Sequence, residues 1–102
     1  MIALIEDNLE SIRALCARYD VRSLTLFGSA TSVRRFDPAR SDVDFLVDFL
    51  PGRGGLLHDY FQLKEDLERI VGRKVDLVDA NAVRNPYFAR TAFGSAEELY
   101  AA

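Results

Sequence analysis

The chain has 102 residues, 49% of them hydrophobic and 28% charged, with a formal net charge of −3. This balance fits one compact domain spanning 1–102 and argues against a surface devoted to duplex DNA or RNA, which needs a strong basic excess. A single cysteine, Cys16, excludes an internal disulfide and a Cys-based zinc site, and its ordinary role is that of a small buried apolar residue.

Met1 to Leu15 carries three acidic residues and lacks the basic cluster of a signal peptide. No apolar run approaches the roughly 20 residues of a membrane span, so the expectation is a cytoplasmic protein with no membrane partner. Ile2, Ile5, Leu9, Ile12, Cys16 and Tyr19 recur at steps of three and four, which predicts an amphipathic helix. Val21 to Phe27 is rich in β-branched and apolar residues and reads as a buried strand, ended by Gly28-Ser29. A short helix is expected over Ala30 to Arg35, then a loop over Phe36 to Ser41 punctuated by Asp37-Pro38.

Asp42 to Phe49 alternates, with Val43, Phe45, Val47 and Phe49 on one side and Asp42, Asp44, Leu46 and Asp48 on the other. That is a strand with an apolar face on the core and an acidic face elsewhere. Pro51 to Gly55 is a loop, and Leu56 to Val71 is a second amphipathic helix stopped by Gly72. Lys74 to Val78 reads as a third strand. After the break at Asn85-Pro86, two short helices are expected, Tyr87 to Ala92 and Ser95 to Ala101. Three strands and about four helices make an α/β or α+β domain with helices packed on one face of the sheet.

Two carboxylates at i and i+2 on a strand project from the same face, so Asp42 and Asp44 can converge on one point. Hard divalent cations are held by one or two such carboxylates together with substrate phosphates. Taken alone, the same spacing also describes a solvated acidic face. Gly28-Ser29 lets a phosphate approach the backbone, although an ordinary strand-to-helix turn looks the same. Arg34, Arg35 and Arg40 form a local basic patch between the two motifs, suited to a small anionic ligand. His58 is the one histidine and reads as a surface residue. The aromatic residues Tyr60, Phe61, Tyr87, Phe88, Phe93 and Tyr100 read mainly as packing, with an exposed partner-binding patch as the other possibility.

Together, Leu26-Phe27-Gly28-Ser29 and Ser41-Asp42-Val43-Asp44-Phe45-Leu46-Val47 resemble the signature of the DNA polymerase β-like nucleotidyltransferase superfamily. The ending Arg73-Lys74-Val75-Asp76-Leu77-Val78, followed by Arg84-Asn85-Pro86-Tyr87-Phe88, is similar to that of its minimal nucleotidyltransferase (MNT) family. Members of that family are often paired with a HEPN-domain protein. The resemblance implies a small nucleotidyltransferase fold with a mixed sheet of three or four strands. It implies two Mg²⁺ ions held by Asp42, Asp44 and a third carboxylate on a later strand, which by position is Asp76, with Asp79 as the competing candidate. It also implies ATP or another nucleoside triphosphate held through Gly28, Ser29, Ser41, Arg34 and Arg35, with Arg40 as a further candidate.

The chain departs from the pattern in one place. Ala30 to Ser41 forms a twelve-residue spacer, longer than the usual one, and the arginine normally found just after Gly-Ser is displaced to Arg34 and Arg35. The function implied is AMP transfer from ATP to a hydroxyl of a partner protein, at a Tyr of a cognate HEPN toxin, within a hetero-oligomer. This chain would then be the antitoxin. The alternative is a non-catalytic antitoxin that masks the same partner by binding it. Transfer to a small molecule ranks lower, because relatives with that activity carry a further domain.

Overall fold

The structure, a computed structural model, describes residues 2–37, 39–51, 57–80 and 96–102. The chain order is α1 (Ala3–Glu6), α2 (Leu9–Arg18), β1 (Val21–Phe27), a 3-10 turn (Gly28–Thr31), β2 (Val43–Phe49), α3 (Leu57–Val71), β3 (Val75–Asp79) and β4 (Glu97–Ala101). The strands form one mixed sheet in the order β3-β2-β1-β4. β1 is antiparallel to both β2 and β4, and β2 is parallel to β3 through the α3 crossover. Helices α2 and α3 pack against each other, α2 against β1 and β4, and α3 against β3.

The apolar periodicities become the core. Ile5, Ile12, Cys16, Leu24, Leu26, Val43, Phe45, Val47, Leu63, Leu67 and Val75 are fully shielded from solvent. In β2 the alternation is strict, with Val43, Phe45, Val47 and Phe49 buried and Asp44, Leu46 and Asp48 half-exposed. Burial pushes the Cys16 thiol up to about 12, as expected of a small apolar filler. Gly72 ends α3 at φ +69, donating its N–H to the Glu68 carbonyl at 2.8 Å, the left-handed stop predicted from the sequence.

Four expectations need correction. The first helix is divided at Asp7-Asn8, where the Asn8 side-chain amide donates to the Leu4 carbonyl at 2.8 Å and competes with the helical ladder. The short helix expected over Ala30 to Arg35 begins earlier, as the 3-10 turn Gly28–Thr31, closed by Thr31 Oγ1 donating to the Gly28 carbonyl at 2.7 Å. The third strand runs Val75–Asp79, one residue later than expected. The helix expected over Ser95 to Ala101 is the strand β4 at Glu97–Ala101. Glu-Glu-Leu-Tyr-Ala favours a helix locally, but pairing with β1 satisfies the backbone of both and buries Leu99. The expected helix Tyr87 to Ala92 lies outside the described residues.

Both outer edges of the sheet are engaged by helix side chains. Glu68 Oε2 accepts the Val75 N–H at 3.0 Å, the Tyr60 hydroxyl donates to the Leu77 carbonyl, and Arg13 Nε donates to the Leu99 carbonyl at 2.9 Å. Capping of this kind blunts strand edges against unwanted pairing. Among the described residues, no helix is long and apolar enough to cross a membrane.

Candidate active site

β1 and β2 are antiparallel, so the end of one meets the start of the other. Phe27 pairs with Asp44, which sets Gly28 against the Asp44 side chain. Gly28 has φ +73, a left-handed conformation that a side chain rarely adopts. A Cβ built there would fall inside van der Waals contact with Asp44 Oδ2. Position 28 therefore demands glycine twice, once for its backbone and once for the carboxylate beside it.

β2 and β3 are parallel, and their register places Asp44 directly opposite Asp76. Registered partners share a face of the sheet, so both carboxylates project from the side opposite Val43, Phe45, Val75 and Leu77. Asp42 precedes β2 by one residue with the same parity as Asp44, and is exposed. The ionised form of Asp44 is disfavoured, its carboxyl pushed up to about 6, first by burial and then by the charges of Asp76 and Asp42. Two acidic groups thus press on one half-buried carboxylate.

Asp79 is separated from this group. It pairs with Val47 and has the parity of Val75 and Leu77, which belong to the core side. Asp48 is also distinct, since Arg22 Nη1 lies 3.8 Å from its Oδ2. Of the two candidates for a third carboxylate, the register sets Asp76, and not Asp79, opposite Asp44.

The three do not close into a ready-made cage: among the described residues no group of three His, Cys, Asp or Glu side chains is placed to hold a metal ion. Their chemistry nevertheless fits a hard cation. The donors are oxygen only, they come from β2, the residue leading into it and the adjacent β3, and the ionisation of Asp44 is opposed by the two neighbours a divalent cation would neutralise.

The residues expected to hold phosphate are less concentrated. Gly28 and Ser29 open the 3-10 turn beside Asp44. The spacer folds on itself: Ser41 Oγ accepts the Asp37 N–H at 3.0 Å, and the Ser41 N–H donates to the Asp37 carbonyl at 2.8 Å. The Ser41 hydroxyl is thus used to shape the loop. Arg34, Arg35 and Arg40 are exposed, and Arg35 Nη2 reaches back to Thr31 Oγ1 at 3.3 Å. His58 is exposed, as expected.

Two residues near the site were missed by the sequence reading. Tyr60 reaches the middle of β3 through the Leu77 carbonyl, and its hydroxyl is held above its ordinary pKa by burial and then by Asp76 and Asp79. Arg73 donates to the Ser41 carbonyl at 3.3 Å and stacks over the Phe36 ring at 4.9 Å. The only signal for Arg73 was a cation placed three residues before Asp76.

The family described as polymerase beta, nucleotidyltransferase matches residues 10–102. A Methanocaldococcus jannaschii protein, provisionally named a protein adenylyltransferase, is 36% identical over 74 residues, 72% of each chain. A solved structure provisionally assigned as a minimal nucleotidyltransferase superposes with a TM-score of 0.73 at 31% identity, covering 94% of this chain and 95% of that one. The same fold occurs in a Shewanella oneidensis complex of a tri-AMPylated HEPN toxin with an MNT antitoxin. There the TM-score is 0.66 at 18% identity, covering 95% of this chain and 72% of that one.

Proposed function

The chain belongs to the polymerase β nucleotidyltransferase family, and from that premise we propose that it transfers AMP from ATP to a hydroxyl of a partner protein. The observation that carries this reading is the Asp44–Asp76 pair, made direct by the parallel register and kept accessible beside Gly28. The M. jannaschii relative, named for protein adenylylation, supports a protein acceptor. The S. oneidensis complex, an AMPylated HEPN toxin with its MNT antitoxin, supports a HEPN protein as that acceptor and an antitoxin role for this chain. A Tyr hydroxyl of the HEPN toxin is the proposed target.

Asp42, Asp44 and Asp76 would hold Mg²⁺. When bound, Mg²⁺ would supply charge neutralisation at the triphosphate and Lewis-acid activation of the phosphoryl group. Gly28 and Ser29 leave room for the phosphates at the edge of the carboxylate group, and the exposed Arg34, Arg35 and Arg40 offer them positive charge. The acceptor oxygen forms a bond to the α-phosphorus while the bond to pyrophosphate breaks. Asp76, the exposed member of the strand pair, accepts the proton released by the hydroxyl and passes it to solvent.

The test is to incubate the chain with ATP, Mg²⁺ and a HEPN-domain protein that binds it, and to weigh the intact HEPN protein. Added AMP is expected. An unmodified HEPN protein, under conditions where the two bind, would overturn the enzymatic reading. It would favour masking by complex formation.

A further inference from the structure

Asp42 stands outside β2, at the end of the spacer, so no strand pairing of its own fixes it. Its two chain neighbours are fixed instead by the segment leading into β3. The Val43 N–H donates to the Lys74 carbonyl at 3.2 Å, and Arg73 Nη1 donates to the Ser41 carbonyl at 3.3 Å. The Arg73 guanidinium also lies over the Phe36 ring, 4.9 Å from its centroid. Arg73 and Phe36 both line an apolar groove of about 330 Å³ with Ile2, Leu4 and Val33, so this staple seats the spacer on the body of the domain.

We propose that Arg73 is a positioning residue for Asp42. It grips the spacer at two points, an aromatic ring and a carbonyl, and the carbonyl belongs to the residue immediately before Asp42. The segment that carries Arg73 continues to Asp76 three residues later, so one piece of chain sets the placement of both carboxylates relative to each other. A planar guanidinium can stack and donate in one geometry, whereas an ammonium offers only a point charge. A spacer longer than usual has more conformations to lose, which gives such a staple its purpose. The inference rests on the reading of Asp42 as a metal ligand.

The experiment measures Mn²⁺ binding to the whole purified chain by electron paramagnetic resonance, without nucleotide or partner. It compares wild type, Arg73→Ala, Arg73→Lys, Asp42→Asn and the double variant Arg73→Ala with Asp42→Asn, with a thermal melt of each. Arg73→Ala is expected to weaken Mn²⁺ binding on the order of tenfold, as loss of a group that orients a ligand does. Arg73→Lys should fall between it and wild type. The double variant should bind no more weakly than Asp42→Asn alone, because Arg73 acts through Asp42. Additive losses, or unchanged binding in Arg73→Ala, would overturn the proposal. If Arg73→Ala does not fold, Arg73→Lys decides, and wild-type affinity in a folded Arg73→Lys counts against it. A wild type that binds no Mn²⁺, or an Asp42→Asn that binds as wild type does, overturns the metal reading itself.

Discussion

Gly28 and Asp44 are placed so that any side chain on the first would collide with Oδ2 of the second. The relationship follows from the antiparallel register, which pairs Phe27 with Asp44 and leaves the next residue turning at φ +73 across the carboxylate. Gly28→Ala is therefore expected to lose stability by about 1–2 kcal/mol from the left-handed backbone alone, and more from displacement of Asp44. The two parts separate in urea unfolding. The cost of Gly28→Ala should be smaller in an Asp44→Ala background, where the collision is gone and the backbone strain remains. Equal costs in both backgrounds would show that the contact is not responsible.

Asp44 also makes the domain sensitive to pH. Its carboxyl titrates near 6 in the folded chain, above its unfolded value, because burial and the charges of Asp76 and Asp42 oppose ionisation. The folded state thus holds the proton more tightly than the unfolded state, and the contribution of Asp44 to stability is present below about pH 4 and lost as pH rises through about 6. Asp44→Asn removes this slope. Its melting temperature should exceed that of wild type at pH 8 and approach it at pH 4. Added Mg²⁺ should raise the wild-type melting temperature at pH 8 and leave that of Asp44→Asn nearly unchanged.

Asp66 behaves in the opposite sense. It is a buried carboxylate that accepts the Tyr19 hydroxyl at 2.7 Å, Arg69 Nη1 at 3.1 Å and Gln62 Nε2 at 3.3 Å. The Tyr19 hydrogen bond is the largest influence, and it holds the carboxyl below the ordinary range against the cost of burial. This stability is present above the unfolded carboxylate pKa and is lost as pH falls through the folded value. Tyr19→Phe is expected to cost about 1.5–3 kcal/mol near neutral pH, as for a hydrogen bond to a charged group. The difference from wild type should shrink as pH falls below the ordinary carboxylate range, and unfolding curves across an acid pH series check it.

The core and the main strands were legible because period and composition agree with tertiary demand. Val43, Phe45, Val47 and Phe49 alternate in sequence and are buried in the sheet. The terminal segment was not legible, because Glu97–Ala101 has the local preferences of a helix and becomes a strand only through a partner some seventy residues earlier in the chain. At the site, the choice of Asp76 over Asp79 came from resemblance, and the register with Asp44 supplies its physical reason. Arg73 escaped notice because its partners, Phe36 and the Ser41 carbonyl, are distant in sequence and only the β2–β3 pairing brings them near.

The most direct test of the central claim follows AMP transfer from labelled ATP to the HEPN protein, comparing wild type with Asp44→Asn at equal concentration and verified complex formation. Transfer by wild type and its loss by several orders of magnitude in the folded, partner-binding Asp44→Asn is the predicted result. Equal transfer by the two proteins would contradict the placement of the reaction at the Asp44–Asp76 pair.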